Sequence, residues 1–223
     1  MTTRGRSPQR RPGRPAGPRA GEAREALLAA AHELMAEKGY PRVTVREVAE
    51  RAGVQAGLVN YHFGGKTGLL RSAVASISEE MLERVRQAVA HEGSTEERIR
   101  ALIRGIVEAI SAAPYGPRLM VEQILFADTD AVEEFVERFA RPNLSAILEL
   151  LDEGRRDGSL RDVDPRFAVP SMLGSCVFFF LSSPIVRRLY DIEEIDAEIA
   201  QEFAEHTAEL ILHGISTRLA PSS

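Results

Sequence analysis

Residues 44–66 read TVREVAERAGVQAGLVNYHFGGK, and the fold is decided here. The stretch predicts a helix, a tight turn, a second helix and a basic residue at the head of a third. Thr44 is placed to cap the first helix, and Glu47 follows at the spacing of a capping box. Val45, Val48, Ala49 and Ala52 recur at three- and four-residue intervals, so they share one face. Gly53 stands where the helix must end, in a left-handed conformation that costs glycine least. Residues 54–63 predict the second helix, with Val59 and Phe63 turned inward and Gln55, Asn60, Tyr61 and His62 supplying polar tips. Two short helices joined by a glycine turn are the geometry that sets one helix in a DNA major groove.

Upstream, residues 22–38 predict a bracing helix. Leu27, Ala30, Ala31, Leu34 and Met35 form its apolar stripe, and Gly39 ends it. Taken together, residues 24–74 resemble the DNA-binding domain of the TetR family of bacterial regulators. The resemblance rests on the helix ending in AEKGY, on TVREVAERAGV, and on YHF followed three residues later by Lys66. Two positions depart from the family pattern. Leu58 stands where many members carry a small hydroxyl residue. Asn60 stands where an aromatic is common, and the aromatic is Tyr61 instead.

Charge divides the chain in the same way. Residues 1–66 hold 12 Lys and Arg against 6 Glu, whereas the remainder holds 16 against 27 acidic residues. The net charge of −5 conceals this division between a part drawn to DNA and a part repelled by it. Residues 1–20 contain six Arg, four Pro and no acid, a composition expected to be disordered when free. Within them RPGRPAG (residues 11–17) resembles a minor-groove arm, with Arg14 as the inserting residue; the alternative is a plain basic tail. This segment has no apolar run, so it does not read as a secretory signal. The single cysteine, Cys176, allows no internal disulfide and suits the cytoplasm.

Beyond residue 66 the pattern predicts helices at 66–91, 94–112, 118–127, 133–153 (bent near Pro142) and 196–219. Residues 167–186 carry no charge over the length of a membrane span. Pro170, Gly174 and Pro184 interrupt that run, which reads better as a helix in a dimer interface than in a membrane. No segment alternates with the period of a strand. The expected architecture is all-α: a basic arm (1–20), a helix-turn-helix DNA-binding domain (21–67), and an effector-binding and dimerisation domain (68–223).

In this reading Gln55 is suited to pair with adenine and Ala56 to touch a thymine methyl, while Gly57 lets the backbone approach. Asn60, Tyr61 and Thr44 reach phosphates, which fix register. Lys66 opens a helix, where a cation gains nothing from the dipole, so a phosphate is its natural partner. Enzymatic patterns are lacking. The five histidines show no metal-ligand spacing, and neither a nucleophile elbow nor a phosphate-binding glycine loop occurs, so no metal and no cofactor is expected.

The resemblance implies an effector pocket in the second part and a four-helix dimer interface built from the last two helices. Inward-facing candidates for the pocket are Ile106, Ile110, Tyr115, Met120, Gln123, Ile124, Phe126, Met172, Cys176 and Phe179. No charge cluster dictates the ligand, so a largely hydrophobic small molecule is expected. The resulting expectation is a non-enzymatic, cytoplasmic, homodimeric repressor on a pseudo-palindromic double-stranded DNA operator. The rivals are a nucleoid-type architectural protein and a membrane-associated helical adaptor.

Overall fold

The structure is a computed structural model that describes residues 20–127 and 129–216; Arg14 and the basic arm lie outside the described residues. The chain is all-helical, and the only extended pairing among the described residues is an isolated bridge between Leu160 and Ser216. Helices α1 (Ala20–Lys38), α2 (Val45–Arg51) and α3 (Gly57–Phe63) form a head around Leu27, Met35, Val48, Val59 and Phe63. Helix α4 (Lys66–Val89) leaves this head and enters a body made with α5 (Thr95–Ala112), α6 (Gly116–Met120), α7 (Thr129–Phe135), α8 (Arg141–Asp157), α9 (Pro165–Leu181), α10 (Ser183–Leu189) and α11 (Ala197–Ile215).

The body is centred on α5. Its stripe of Ile99, Leu102, Ile103, Ile106, Val107 and Ile110 is buried, as the spacing of three and four predicts. The Ser94–Glu97 capping box starts this helix. Ala200, Ala204, Ala208 and Leu212 of α11 pack into the same cluster.

Several element boundaries differ from expectation, and the larger differences have local reasons. The helix expected at 54–63 begins at Gly57. Gly53 takes φ 67°, and the Val54 N–H donates to the Ala49 carbonyl at 2.9 Å, so Val54 belongs to the cap of α2. The helix expected from 118 begins at Gly116 as α6, with Pro117 in its first turn, where proline's missing N–H costs nothing. The helix then widens into a π-turn at Val121–Leu125. The bend expected near Pro142 is a second π-turn, Val136–Ala140, immediately before α8. At the other end α11 stops at Ile215, where Ser216 turns extended and pairs with Leu160.

Among the described residues no single helix is long and apolar enough to cross a membrane. The uncharged run at 167–186 is divided between α9 and α10, which are bent by 67°. One face of α9 packs inward through Val169, Met172, Cys176 and Phe180, while Phe167, Phe178 and Leu181 are exposed. Ile185, Leu189, Tyr190 and Leu210 are exposed nearby in sequence or on α11.

Candidate nucleic-acid interface and ligand cavity

The head presents the predicted DNA-facing residues on its surface. Thr44 caps α2: its hydroxyl accepts from the Glu47 N–H at 3.3 Å, and its own N–H donates to Glu47 Oε2 at 3.0 Å. Glu47 also takes a bond from Lys38 at 2.5 Å. The Lys38 ammonium first, then Thr44, hold the Glu47 carboxyl down at about 2. Arg51 donates to Glu37 at 2.8 Å and to Glu33 at 3.1 Å, which ties α2 to α1. Lys38 and Arg51 are thus committed inside the head.

Gln55, Ala56, Gly57 and Asn60 are exposed, and Tyr61 is 77% exposed with its ring edge-on to His62. His62 is half-buried between Tyr61 and Phe63. Lys66 lies with Nζ 3.5 Å from the Pro41 carbonyl, beside the 3-10 turn Tyr40–Arg42. Arg42 and Arg46 are exposed and make no ion pair among the described residues. Sequence reasoning did not select them. The available signal was their position two residues either side of Thr44.

α3 is held against α4 by a close approach. A Cβ at Gly68 would lie 1.7 Å from the Phe63 carbonyl oxygen, so only glycine fits there. This contact brings the first turn of α4 directly against the end of α3.

The body holds a cavity of about 290 Å³. Val74, Ile77, Ser78, Met81 and Val85 of α4 form one wall. Ile106 and Ile110 of α5, Met120 of α6, Phe139 and Asn143 near the second π-turn, and Val169 and Leu173 of α9 complete much of the rest. Of the pocket candidates, Ile106, Ile110 and Met120 line this space. The others are elsewhere. Met172 and Cys176 belong to the buried body cluster, and burial pushes the Cys176 thiol up to about 12. Phe179 stacks on Phe203 of α11 at 3.9 Å between ring centres. Phe126 is exposed, Gln123 is half-buried on the first π-turn, and Ile124 joins the head cluster. The period that selected them marks a buried face, but not which side of it adjoins empty space.

Tyr115 has a different place. Its hydroxyl lies 2.5 Å from His32 Nδ1, linking the start of α6 to α1. Arg118 lies over the Tyr40 ring at 5.7 Å, and Leu119 is fully buried in the head cluster. α6 therefore touches the head with one face and lines the cavity with Gly116, Pro117 and Met120. Burial pushes the Tyr115 hydroxyl up to about 12, with Glu80 adding to it. Among the described residues no three His, Cys, Asp or Glu side chains are placed to hold a metal ion.

Comparison with known proteins agrees with both halves. The pattern of "Bacterial regulatory proteins, tetR family" matches residues 27–73, and that of "Tetracyclin repressor-like, C-terminal domain" matches residues 92–222. The solved structure of a TetR/AcrR-family transcriptional regulator from Thermobifida fusca is 30% identical, with a TM-score of 0.68 over 86% of this chain and 97% of that one. The HTH-type transcriptional regulator BetI 1 of Chromohalobacter salexigens is 39% identical over 83 residues, 37% of this chain and 41% of its own. The nucleoid occlusion factor SlmA of Vibrio vulnificus is 24% identical over 151 residues, 67% of this chain and 77% of its own. With a helix-turn-helix head, a helical body and both family patterns in register, the chain belongs to the TetR family of transcriptional regulators.

Proposed function

We propose that this regulator is a ligand-responsive repressor that binds a pseudo-palindromic operator as a homodimer in the cytoplasm. The observation that carries this reading is the double use of α4. Its first residue, Lys66, lies against the head beside Pro41, and its Val74, Ile77, Met81 and Val85 line the cavity. A ligand that fills the cavity acts directly on the helix that holds the recognition helix through Gly68. α6 gives a second route, through Tyr115 and His32. For the ligand to release DNA it must bind the two arrangements of the heads with different affinity.

In this reading Thr44, Gln55, Ala56, Gly57, Asn60, Tyr61 and Lys66 contact DNA, with Arg42 and Arg46 adding phosphate contacts. The arm containing Arg14 adds minor-groove contacts. The boundaries 21–67 and 68–223 divide DNA binding from effector binding and dimerisation. The exposed apolar residues Phe167, Phe178 and Leu181 of α9 and Leu210 of α11 form the dimer contact, since large exposed apolar patches mark association surfaces. Two recognition helices then meet successive major grooves about 34–36 Å apart, or a multiple of that.

Selection of bound genomic fragments followed by footprinting tests this directly. One protected palindrome occupied by a dimer supports the reading. Diffuse coverage without a palindrome would sink it and favour an architectural role on the chromosome, in keeping with the likeness to a protein named a nucleoid occlusion factor.

A further inference from the structure

Asn143 lines the cavity from the first turn of α8, just after Pro142 and the π-turn Val136–Ala140. Its Nδ2 donates to the Phe139 carbonyl at 3.0 Å. That bond sets the orientation of the amide. Flipping it would bring Oδ1 against the same carbonyl, acceptor against acceptor. Oδ1 is thus the end left over, and it is shut off from solvent with no hydrogen-bond donor among the described residues. Buried acceptors in folded proteins are normally paired, so an unpaired one at a cavity wall points to a ligand group.

The rest of the wall narrows the ligand further. Ser78, the other polar side chain among the described residues lining the cavity, donates its hydroxyl to the Val74 carbonyl at 2.9 Å. Among the described residues no lining side chain carries a charge. A buried carboxylate or ammonium would therefore lose its hydration without gaining a partner. The nearby Arg138 does not supply one, because it donates to Glu79 at 2.5 Å. A dry cavity of ~150 Å³ takes up a benzene molecule. About 290 Å³ is close to twice that volume.

We propose that the effector is a neutral, apolar molecule of about two-ring size bearing one hydroxyl or amide N–H, which it donates to Asn143 Oδ1. This rests on the reading of the cavity as the effector site. Oδ1 is covered as it stands, so a ligand donor reaches it when the Asn143 side chain turns at the start of α8 and gives up its bond to the Phe139 carbonyl.

Three probes on one skeleton test it on the full chain by titration calorimetry: 2-naphthol, 2-methoxynaphthalene and 2-naphthoate. 2-Naphthol is expected to bind roughly five- to tenfold more tightly than the methoxy compound, which has nearly the same shape and no donor. The carboxylate is expected to bind more weakly than either. Asn143→Leu should remove the preference for 2-naphthol and keep apolar binding, whereas Ser78→Ala should leave the preference intact. Equal binding of 2-naphthol and the methoxy compound by the parent chain overturns the proposal, even if Asn143→Leu fails to fold. A preference that survives in Asn143→Leu, or one lost in Ser78→Ala, also overturns it, as does tightest binding of the carboxylate. If no probe binds, or if binding survives the cavity-filling change Ala140→Phe, the cavity is not the effector site. That outcome removes the effector reading as well and is distinct from a failed preference at a working site.

Discussion

At the turn between α2 and α3, Thr44 and Gly53 meet the needs of a backbone within a few residues of themselves. Around the cavity, Val74, Ile110, Phe139 and Val169 arrive from segments far apart in the chain, and no one of them signals the space between them. The head is built from local instructions with fixed spacings. The cavity is a remainder, left where five segments fail to close. The head should therefore be intolerant of changes to backbone fit, and the cavity tolerant of changes in volume.

The strongest break of this contrast lies at Gly68. Gly68→Ala places a methyl group against the Phe63 carbonyl, 1.7 Å away before relaxation. Overpacking of this kind is expected to destabilise the head by about 3 kcal/mol. Denaturant unfolding followed by circular dichroism measures it. A midpoint equal to that of the parent would show that α3 and α4 adjust freely, and the contrast would fail.

Gly68 also shows where the sequence stops being readable. Thr44, Glu47 and Gly53 could be assigned from sequence because their partners are three or four residues away. The period of α5 was legible for the same reason, since one helix face is a local property. Gly68 needs the position of the Phe63 carbonyl after α3 has turned back on α4, and no spacing reports that. The two π-turns are similar. Pro142 announces a bend, but whether the preceding helix kinks, breaks or widens depends on what packs against Phe135 and Phe139. Tyr115 reads from the sequence as an inward-facing pocket residue. Its contact with His32 lies 83 residues away in sequence.

The cavity supplies the opposite test. Ala140→Phe puts a large side chain into space that is already empty. Operator affinity is expected to stay within about threefold, because the change is far from the DNA-facing residues. Release by ligand is expected to vanish, a loss of coupling on the order of 1–3 kcal/mol. Operator titrations with and without 2-naphthol read both quantities. A variant that still releases DNA would place the effector elsewhere.

A smaller effect separates stability from function within the head. Tyr61 is 77% exposed, so Tyr61→Ala is expected to change stability by no more than about 0.5 kcal/mol. Its loss of operator affinity is expected to be roughly tenfold and alike on all sequences. Arg46→Ala should lower the salt dependence of binding by about one unit of slope. Unchanged slope would mean that Arg46, though in no ion pair among the described residues, does not reach a phosphate.

The least of these effects is a pH dependence at the joint between the regions. His32 lies between α1 and Tyr115 of α6, and burial lowers its pKa below 6.5, with the nearby Glu80 opposing. The unfolded chain, with this histidine at its ordinary value, binds the proton more readily than the folded one. Stability from this group is therefore present above pH 6.5 and is lost as pH falls from there through the lower folded value. His32→Gln keeps a polar partner for Tyr115 and cannot titrate, so it should flatten that part of the stability curve. In the tautomer that carries its proton on Nε2, protonation removes the acceptor at Nδ1, and the Tyr115 hydroxyl loses the bond it donates there. The contact joining the head to the α6 wall of the cavity should weaken over the same pH range. If ligand-induced release in the parent declines as pH falls below 6.5 while release in His32→Gln does not, the joint transmits the signal. If both respond alike, α4 alone carries it, and the head and the cavity are coupled only through the helix they share.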